Sequence, residues 1–332
     1  MAGKTFERVR VLEVTAGTVM IAHTGGMVQL DLEKLPPELQ ARFGYDPEKA
    51  AAWRRSAETD MAATEDLKAR QAAEQRRRAQ LETMKRAIAQ RQAEADPNYV
   101  EFRPEVDLRP VFVEHSLYLK NQGARPSCSI FAVVSVLEYE YARRFGSSDQ
   151  LSEEYLIWAF QRAFPGKPIN DGYNFGQVID VLRNAGIARR AALPDSFAAR
   201  PKDADPPPAA IEDAATRREF SIAGFAPGDE LLLTRIVAAL NTQTPVILGI
   251  KWPHHATLER NNLLRDQAPV SGAAHAVTLV GYTSDGTPES LVFVYRNSYG
   301  PQWGLGGYGL MAGSYLQKNV VTAFCLMVPR PE

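Results

Sequence analysis

Cys128, His275 and Asn297 are the residues whose types and surroundings could together perform nucleophilic acyl transfer. Cys128 follows Ser127 at the head of a run to Arg144 in which Ile130, Phe131, Val133, Val134, Val136 and Leu137 are apolar on more than one face, with Gly146 as a stop. That pattern predicts a central, buried helix. Ser127 is its expected N-cap, which puts the thiol in the first turn, where unpaired NH groups and the helix dipole favour negative charge. A thiol there ionises more easily, and the thiolate is the nucleophile. Alone, a cysteine on an apolar helix is more often a packing residue. His275 opens an otherwise apolar strand, Ala276 to Tyr282, and Asn297 directly follows the strand-like run Leu291 to Tyr295. A lone histidine in such a place is usually a satisfied core residue. If the two strands pair, Asn297 can accept a hydrogen bond from one ring nitrogen while the other faces Cys128, giving nucleophile, base and orienter.

The elements that must position these residues lie in a chain of 332 residues with 45% hydrophobic and 23% charged content. At about 150 residues per domain, two domains are expected, with enough length to bury a core without metals or disulfides. A net charge of -1, from 38 Lys and Arg against 39 Asp and Glu, gives no field that would draw the chain to nucleic acid or an anionic membrane. The composition is that of a soluble globular chain, with no apolar run of about 18 residues and no apolar core in the first residues, so neither a transmembrane helix nor a signal peptide is expected. Localisation stays open, since export followed by removal of a signal would leave the same sequence. Two cysteines allow one bridge at most, and Cys325, inside the run Val320 to Val328, reads as a small buried hydrophobe.

Residues 5 to 31 alternate apolar and polar positions around Ala16-Gly17 and Thr24-Gly25-Gly26, which predicts a three-stranded antiparallel meander. A short helix is expected near Phe43. From Asp46-Pro47-Glu48 to Asp96-Pro97 the chain is rich in Ala, Glu, Gln, Arg and Lys without glycine, predicting one long helix. Its apolar residues (Trp53, Met61, Leu67, Leu81, Met84, Ile88) are too sparse for a sustained heptad. Arg76-Arg77-Arg78 is interleaved with Glu74 and Glu82 and reads as a solvated face. From about residue 101 a larger domain begins. Helices are expected at Ser152 to Phe164, Phe175 to Asn184 and Leu231 to Leu240, a loop at Pro201 to Pro208, and strands at Pro245 to Ile250, Ala276 to Tyr282, Ser290 to Tyr295, Tyr308 to Met311 and Val320 to Val328. A helical half followed by a sheet half places chemistry in the cleft between them.

Taken with its flanking motifs, this segment resembles the papain-like cysteine peptidases. Pro104-Glu105-Val106-Asp107-Leu108-Arg109 is similar to the start of their mature domain, and Asn121-Gln122-Gly123 stands before Ser127-Cys128 at the family spacing. Leu151-Ser152-Glu153-Glu154, Gly272 to Tyr282 and Asn297-Ser298-Tyr299-Gly300-Pro301-Gln302-Trp303-Gly304 match the family's later motifs in order. The resemblance implies an α+β fold: a two-lobed papain-like domain over 101–332, with a helical lobe at about 110–215 and an antiparallel, barrel-like β lobe at about 216–332. A small β-rich domain (1–45) and a long prosegment-like or spacer helix (46–96) would precede it. It implies a cysteine endopeptidase acting on peptide or protein substrates without cofactor or metal. Cys128 would be the nucleophile, His275 the base, Asn297 the orienter and Gln122 an oxyanion donor. Tyr299 and Trp303 would support the site, and Gly172, Tyr173 and Ala274 would line the substrate cleft.

Departures from the family pattern are local. Arg125 stands where a disulfide-forming Cys is usual, Pro126 replaces Gly, Ser129 replaces the aromatic after the nucleophile, and Tyr299 replaces the Trp that shields the His–Asn bond. None removes a catalytic group. The competing reading is an inactive papain-like protein that keeps the cleft for peptide binding. Residues 1–100 occupy a prosegment's position, so intramolecular inhibition is one reading, although the Glu-Arg-Phe-Asn-Ile-Asn pattern of papain-type propeptides is absent from 48–95; the other reading is a permanent module in which the meander binds a partner or positions substrate and the helix is a spacer. His254-His255 have no ligand-spaced Cys or carboxylate nearby and read as surface loop residues, and His115 and His23 give no metal signal either.

Overall fold

A computed structural model describes residues 6–96, 99–167, 171–195, 204–254 and 262–329. The chain divides into two compact units, Met1–Ala95 and Asp96–Glu332.

In the first unit, β1 (Arg10–Val14), β2 (Thr18–His23) and β3 (Gly26–Asp31) form an antiparallel sheet in that order. The period of two sends Val19 and Ile21 of β2 into a small core with Leu32, Phe43 and Tyr45, whereas β1 is exposed along its whole length. After the short α1 (Pro37–Arg42) comes α2 (Pro47–Ala95), 49 residues long. Asp46 starts it, its Oδ1 accepting from the backbone NH of Glu48 at 2.9 Å and of Lys49 at 3.2 Å. The first turns of α2 complete the meander's core. Ala50 is buried, Arg54 donates to Asp31 at 3.1 Å and Glu33 at 2.7 Å, and a Cβ at Gly17 would come within 2.8 Å of the Trp53 ring. Farther along, Leu67, Leu81, Met84 and Ile88 are exposed.

The second unit begins with β4 (Glu105–Asp107) and α3 (Arg109–Glu114), followed by α4 (Cys128–Phe145), α5 (Glu153–Ala163), α6 (Phe175–Ala185) and α7 (Pro208–Ala215). Next come β5 (Ser221–Phe225), α8 (Leu232–Asn241), β6 (Val246–Pro253), β7 (Leu263–Leu264), β8 (Pro269–Thr283), β9 (Val292–Arg296), β10 (Tyr308–Ala312), α9 (Gly313–Asn319) and β11 (Val320–Met327). The strands form one sheet in the order β5-β11-β6-β8-β9-β10-β7, with β4 added on β8. All pairs are antiparallel except β10 with β7.

α4 is apolar all round because it is covered all round. Ile130, Val133, Val134 and Val136 sit in one core with Leu156 and Phe160 of α5, Val178 of α6, and Ile247, Ala276 and Phe324 of the sheet. A second core lies on the side of α8 and α9, where Leu240, Leu279, Phe293 and Tyr315 meet. Gly281 is required where β4 joins β8, since a Cβ there would lie 2.3 Å from the carbonyl oxygen of Val106.

Several elements differ from the sequence expectation. β8 begins at Pro269, seven residues before the expected start at Ala276, and β6 runs on to Pro253. The run of small residues ahead of His275, Ser271-Gly272-Ala273-Ala274, hides this extension, because pairing with β6, not apolar patterning, holds it. β5 and α9 were not expected: β5 is Ser-Ile-Ala-Gly-Phe, held by pairing with β11, and α9 is only 7 residues long, held by buried Tyr315 and Leu316. Cys325 is buried on β11 and both cysteines are free thiols. Residues 201–203 of the expected loop and His255 lie outside the described residues.

Candidate active site

Three elements converge on one place: the first turn of α4, the middle of β8, and the chain just past β9. The β8–β9 register pairs Thr278 with Arg296, which brings His275 and Asn297 side by side. The His275 Nε2 to Asn297 Oδ1 distance is 2.7 Å, and both residues are buried. Oδ1 also accepts from the backbone NH of Ser298 at 2.8 Å, so the oxygen of the amide faces the ring. Nε2 therefore carries the proton of the neutral ring and Nδ1 the lone pair. Tyr299 stacks on one face of the imidazole at 4.9 Å, and Trp252 meets it edge-on at 4.6 Å. Trp303 in turn packs edge-on against Tyr299 at 5.6 Å. The Tyr299 hydroxyl is 3.5 Å from Nδ1. Burial, then the neighbouring Cys128 sulfur, push its phenol up to about 12, so it stays protonated.

Ser127 does not cap α4 with its side chain. Its hydroxyl turns back 3.5 Å from the carbonyl oxygen of Arg125. Backbone NH groups of Ala276, Ser129 and Cys128 itself bond to the Cys128 sulfur and pull its thiol down. Burial is the larger influence, and the net displacement is upward. The helix start alone does not acidify this thiol, contrary to the sequence expectation. Ionisation at neutral pH would have to come from transfer of the proton to a partner base.

Gln122 is buried beside this pair and is held at both ends. Its Oε1 accepts from Ser298 Oγ at 2.5 Å, and its Nε2 donates to the carbonyl oxygen of Arg125 at 2.8 Å. The backbone NH of Gln122 donates to Ser298 O at 2.8 Å, and Asn121 bridges to Tyr299, which ties the loop before α4 to the loop after β9.

Cys128 and His275 open into a cleft of about 670 Å³. Gly172, Tyr173 and Ala274 all line it. Gly172 has φ +71°, and Ser129 Oγ fixes the strip by donating to Tyr173 O at 2.7 Å. The replacement of an aromatic by Ser129 thus gains a bond to the cleft wall. Gly249 and Thr322 lie farther along, and a Cβ on Gly249 would come 2.9 Å from Thr322 Cγ2.

Sequence reasoning missed Trp252, Ser298 and a buried cluster behind the site. Lys120 Nζ donates to Glu138 at 2.6 Å, to Glu153 at 2.7 Å and to Leu151 O at 2.8 Å. Its only signal was a lysine two residues before Gln122, with glutamates at core positions of two apolar helices. No group of three or more His, Cys, Asp or Glu able to hold a metal ion occurs among the described residues.

Comparison with known proteins agrees with this architecture. The description "Papain family cysteine protease" matches residues 104–324. Cysteine protease 1 of Oryza sativa subsp. japonica is 28% identical over 226 residues, covering 64% of this chain and 41% of the rice protein. Human cathepsin L2 is 27% identical over 222 residues, covering 64% of this chain and 59% of its own length. The chain thus spans less than two thirds of these relatives. Xylellain, a cysteine protease from Xylella fastidiosa, superposes with a TM-score of 0.57 at 20% identity, over 69% of this chain and 87% of that one. With the match over 104–324 enclosing every residue of the cleft just described, the chain belongs to the papain family of cysteine proteases.

Proposed function

We propose that this chain is a cysteine endopeptidase that hydrolyses peptide bonds through a thioacyl intermediate on Cys128. The observation that carries this reading is the 2.7 Å bond from His275 Nε2 to Asn297 Oδ1, which leaves Nδ1 as the basic nitrogen in the cleft that Cys128 shares. Nδ1 takes the thiol proton, and the resulting ion pair offsets the burial that otherwise holds the thiol up. The thiolate attacks the peptide carbonyl. The Cys128 NH and the second hydrogen of the Gln122 amide stabilise the oxyanion. Imidazolium then protonates the leaving amine, the C–N bond breaks, and His275 activates a water that releases the acid and restores the thiol. Asn297 keeps the ring in register throughout, with Tyr299 and Trp252 excluding water from that bond.

Gly172, Tyr173 and Ala274 are the cleft residues that would meet the peptide, whose extended backbone suits a strip of main chain with small side chains. Residues 1–100 would restrain this activity until removed. What supports this second part is α2, whose exposed Leu67, Leu81, Met84 and Ile88 gain from a covering surface.

The test is cleavage of a peptide library by the full chain and by Cys128→Ala, His275→Ala and Gln122→Ala. Turnover lost in the first two, and lowered by about 10² to 10³ in the third, agrees with the assignment. A Gln122→Ala protein with unchanged rate sinks its role, and cleavage that survives Cys128→Ala sinks the mechanism.

A further inference from the structure

We propose that the Arg125–Glu154 ion pair is the brace of the oxyanion loop, making Arg125 and Glu154 positioning residues that act on the reaction through Gln122. The proposal rests on the assignment of Gln122 as an oxyanion donor.

A primary amide can aim one hydrogen at an oxyanion only if the other and the oxygen are held. Ser298 holds the oxygen of Gln122, and the carbonyl of Arg125 holds one hydrogen. The same carbonyl accepts from the NH of Ser127 at 2.8 Å, so a single peptide group sets both the rotation of the donor and the approach to the nucleophile's helix. Its loop is tied at Asn121 and Gln122 to the chain after β9, but the stretch between those ties and Arg125 is exposed. Gly123 sits at φ +63°, and Gly123 and Ala124 are exposed. No disulfide closes the loop, since both cysteines are free.

The Arg125 side chain supplies the missing tie. Its Nη2 donates to Glu154 Oε1 and its Nη1 to Oε2 at 3.4 Å, both arms of the fork engaging one carboxylate. Glu154 is 5% exposed in the first turn of α5. That turn is itself rigid, with buried Ser152 accepting from the NH of Tyr155 at 3.1 Å and donating to Leu193 O at 2.6 Å. A carboxylate buried to this degree is costly to leave unpaired, so the closed pair is strongly preferred. The path from α5 through Glu154, Arg125 and its carbonyl to the Gln122 amide is continuous, and no member other than Gln122 need touch substrate. A misplacement of about 1 Å at such a donor is enough to lower turnover by up to about 10².

The experiment is a double-mutant cycle on the full chain, or its truncated form if only that is active, using a fluorogenic peptide amide. Glu154→Gln and Arg125→Lys, the latter keeping the charge but losing the fork, are each made alone and in a Gln122→Ala background. Thermal melts establish folding, and two variants on opposite sides of the pair keep the test decisive if one fails to fold. The expected result is a fall in kcat of about 10- to 100-fold in the wild-type background, with KM and the rate of Cys128 alkylation by iodoacetamide unchanged. In the Gln122→Ala background neither substitution should lower kcat further. Equal losses in both backgrounds, or alkylation slowing in step with kcat, overturn the brace. No loss from either variant while Gln122→Ala remains crippling overturns the brace alone, whereas a fully active Gln122→Ala overturns the oxyanion assignment with it.

Discussion

Replacing Glu153 by glutamine should remove a pH dependence from the stability of the protease unit. Lys120 sits between two buried carboxylates, Glu138 and Glu153, each less than 2% exposed, so one positive charge serves two potential negative ones. Burial, only partly opposed by Lys120 and reinforced by Glu138, pushes Glu153 up from 4.5 to about 7. Folding raises this pKa, so its contribution is full below the unfolded value, where both states hold the proton, and is lost as pH rises through the folded one. Over the span from 4.5 to about 7, at about 1.4 kcal/mol per pH unit, the loss is on the order of 3 kcal/mol. Glutamine keeps the neutral form at every pH, and its carbonyl oxygen still accepts from Lys120. Urea unfolding of both proteins at acid and mildly alkaline pH reads the difference. It cancels Asp107 and Asp213, which are held low by arginine and backbone bonds despite partial burial and lose their contribution as pH falls. The two proteins should match near pH 5, and the variant should be the more stable near pH 8, by on the order of 2 to 3 kcal/mol. Parallel pH profiles, or a variant weaker at pH 8, would refute the raised Glu153 pKa.

Asn297→Ala frees the His275 ring and should lower kcat by about 10- to 100-fold with little change in KM; steady-state kinetics decide, and a change confined to KM would contradict the orienting role. Gly249→Leu would crowd Thr322 and Phe175, so KM for bulky peptides should rise while iodoacetamide still labels Cys128 at the wild-type rate. Lys120→Met leaves the buried side chains of Glu138 and Glu153 without their shared cation and should destabilise the unit by about 3 to 5 kcal/mol, measured by urea midpoint; a loss within error would contradict the pairing's contribution. A chain starting at Phe102 should be more active on small peptide amides than the full chain, and equal rates would count against inhibition by residues 1–100.

The elements that sequence shows well are those whose pattern is local. α2 is legible because Asp46-Pro47-Glu48 opens it and no glycine interrupts it, and α4 because a helix apolar on several faces has nowhere to go but a core. The bond between His275 and Asn297 follows once their strands are taken as neighbours. What sequence cannot show is held by residues far apart. Lys120, Glu138 and Glu153 meet over separations of 18 and 33 positions, and Arg125 finds Glu154 29 residues away. Neither arrangement leaves a period to read. The thiol's acidity was misjudged for a related reason: a first-turn position is local and visible, whereas the burial that outweighs it is set by β8 packing over α4. Trp252 lies in a segment that looks like a loop, and only the continuation of β6 brings its ring to His275.

The proposed mechanism requires Cys128 to be an activated nucleophile although burial alone would silence it. Intact mass after exposure to a peptide epoxide or chloromethyl ketone at neutral pH tests this most directly, on the full chain, on the chain from Phe102, and on Cys128→Ala. Rapid addition of one inhibitor to at least the shorter form, none to Cys128→Ala, and slow addition to His275→Ala are expected of this mechanism. Absence of labelling in both the full and shortened chains would contradict it and leave a cleft that binds peptides without cutting them.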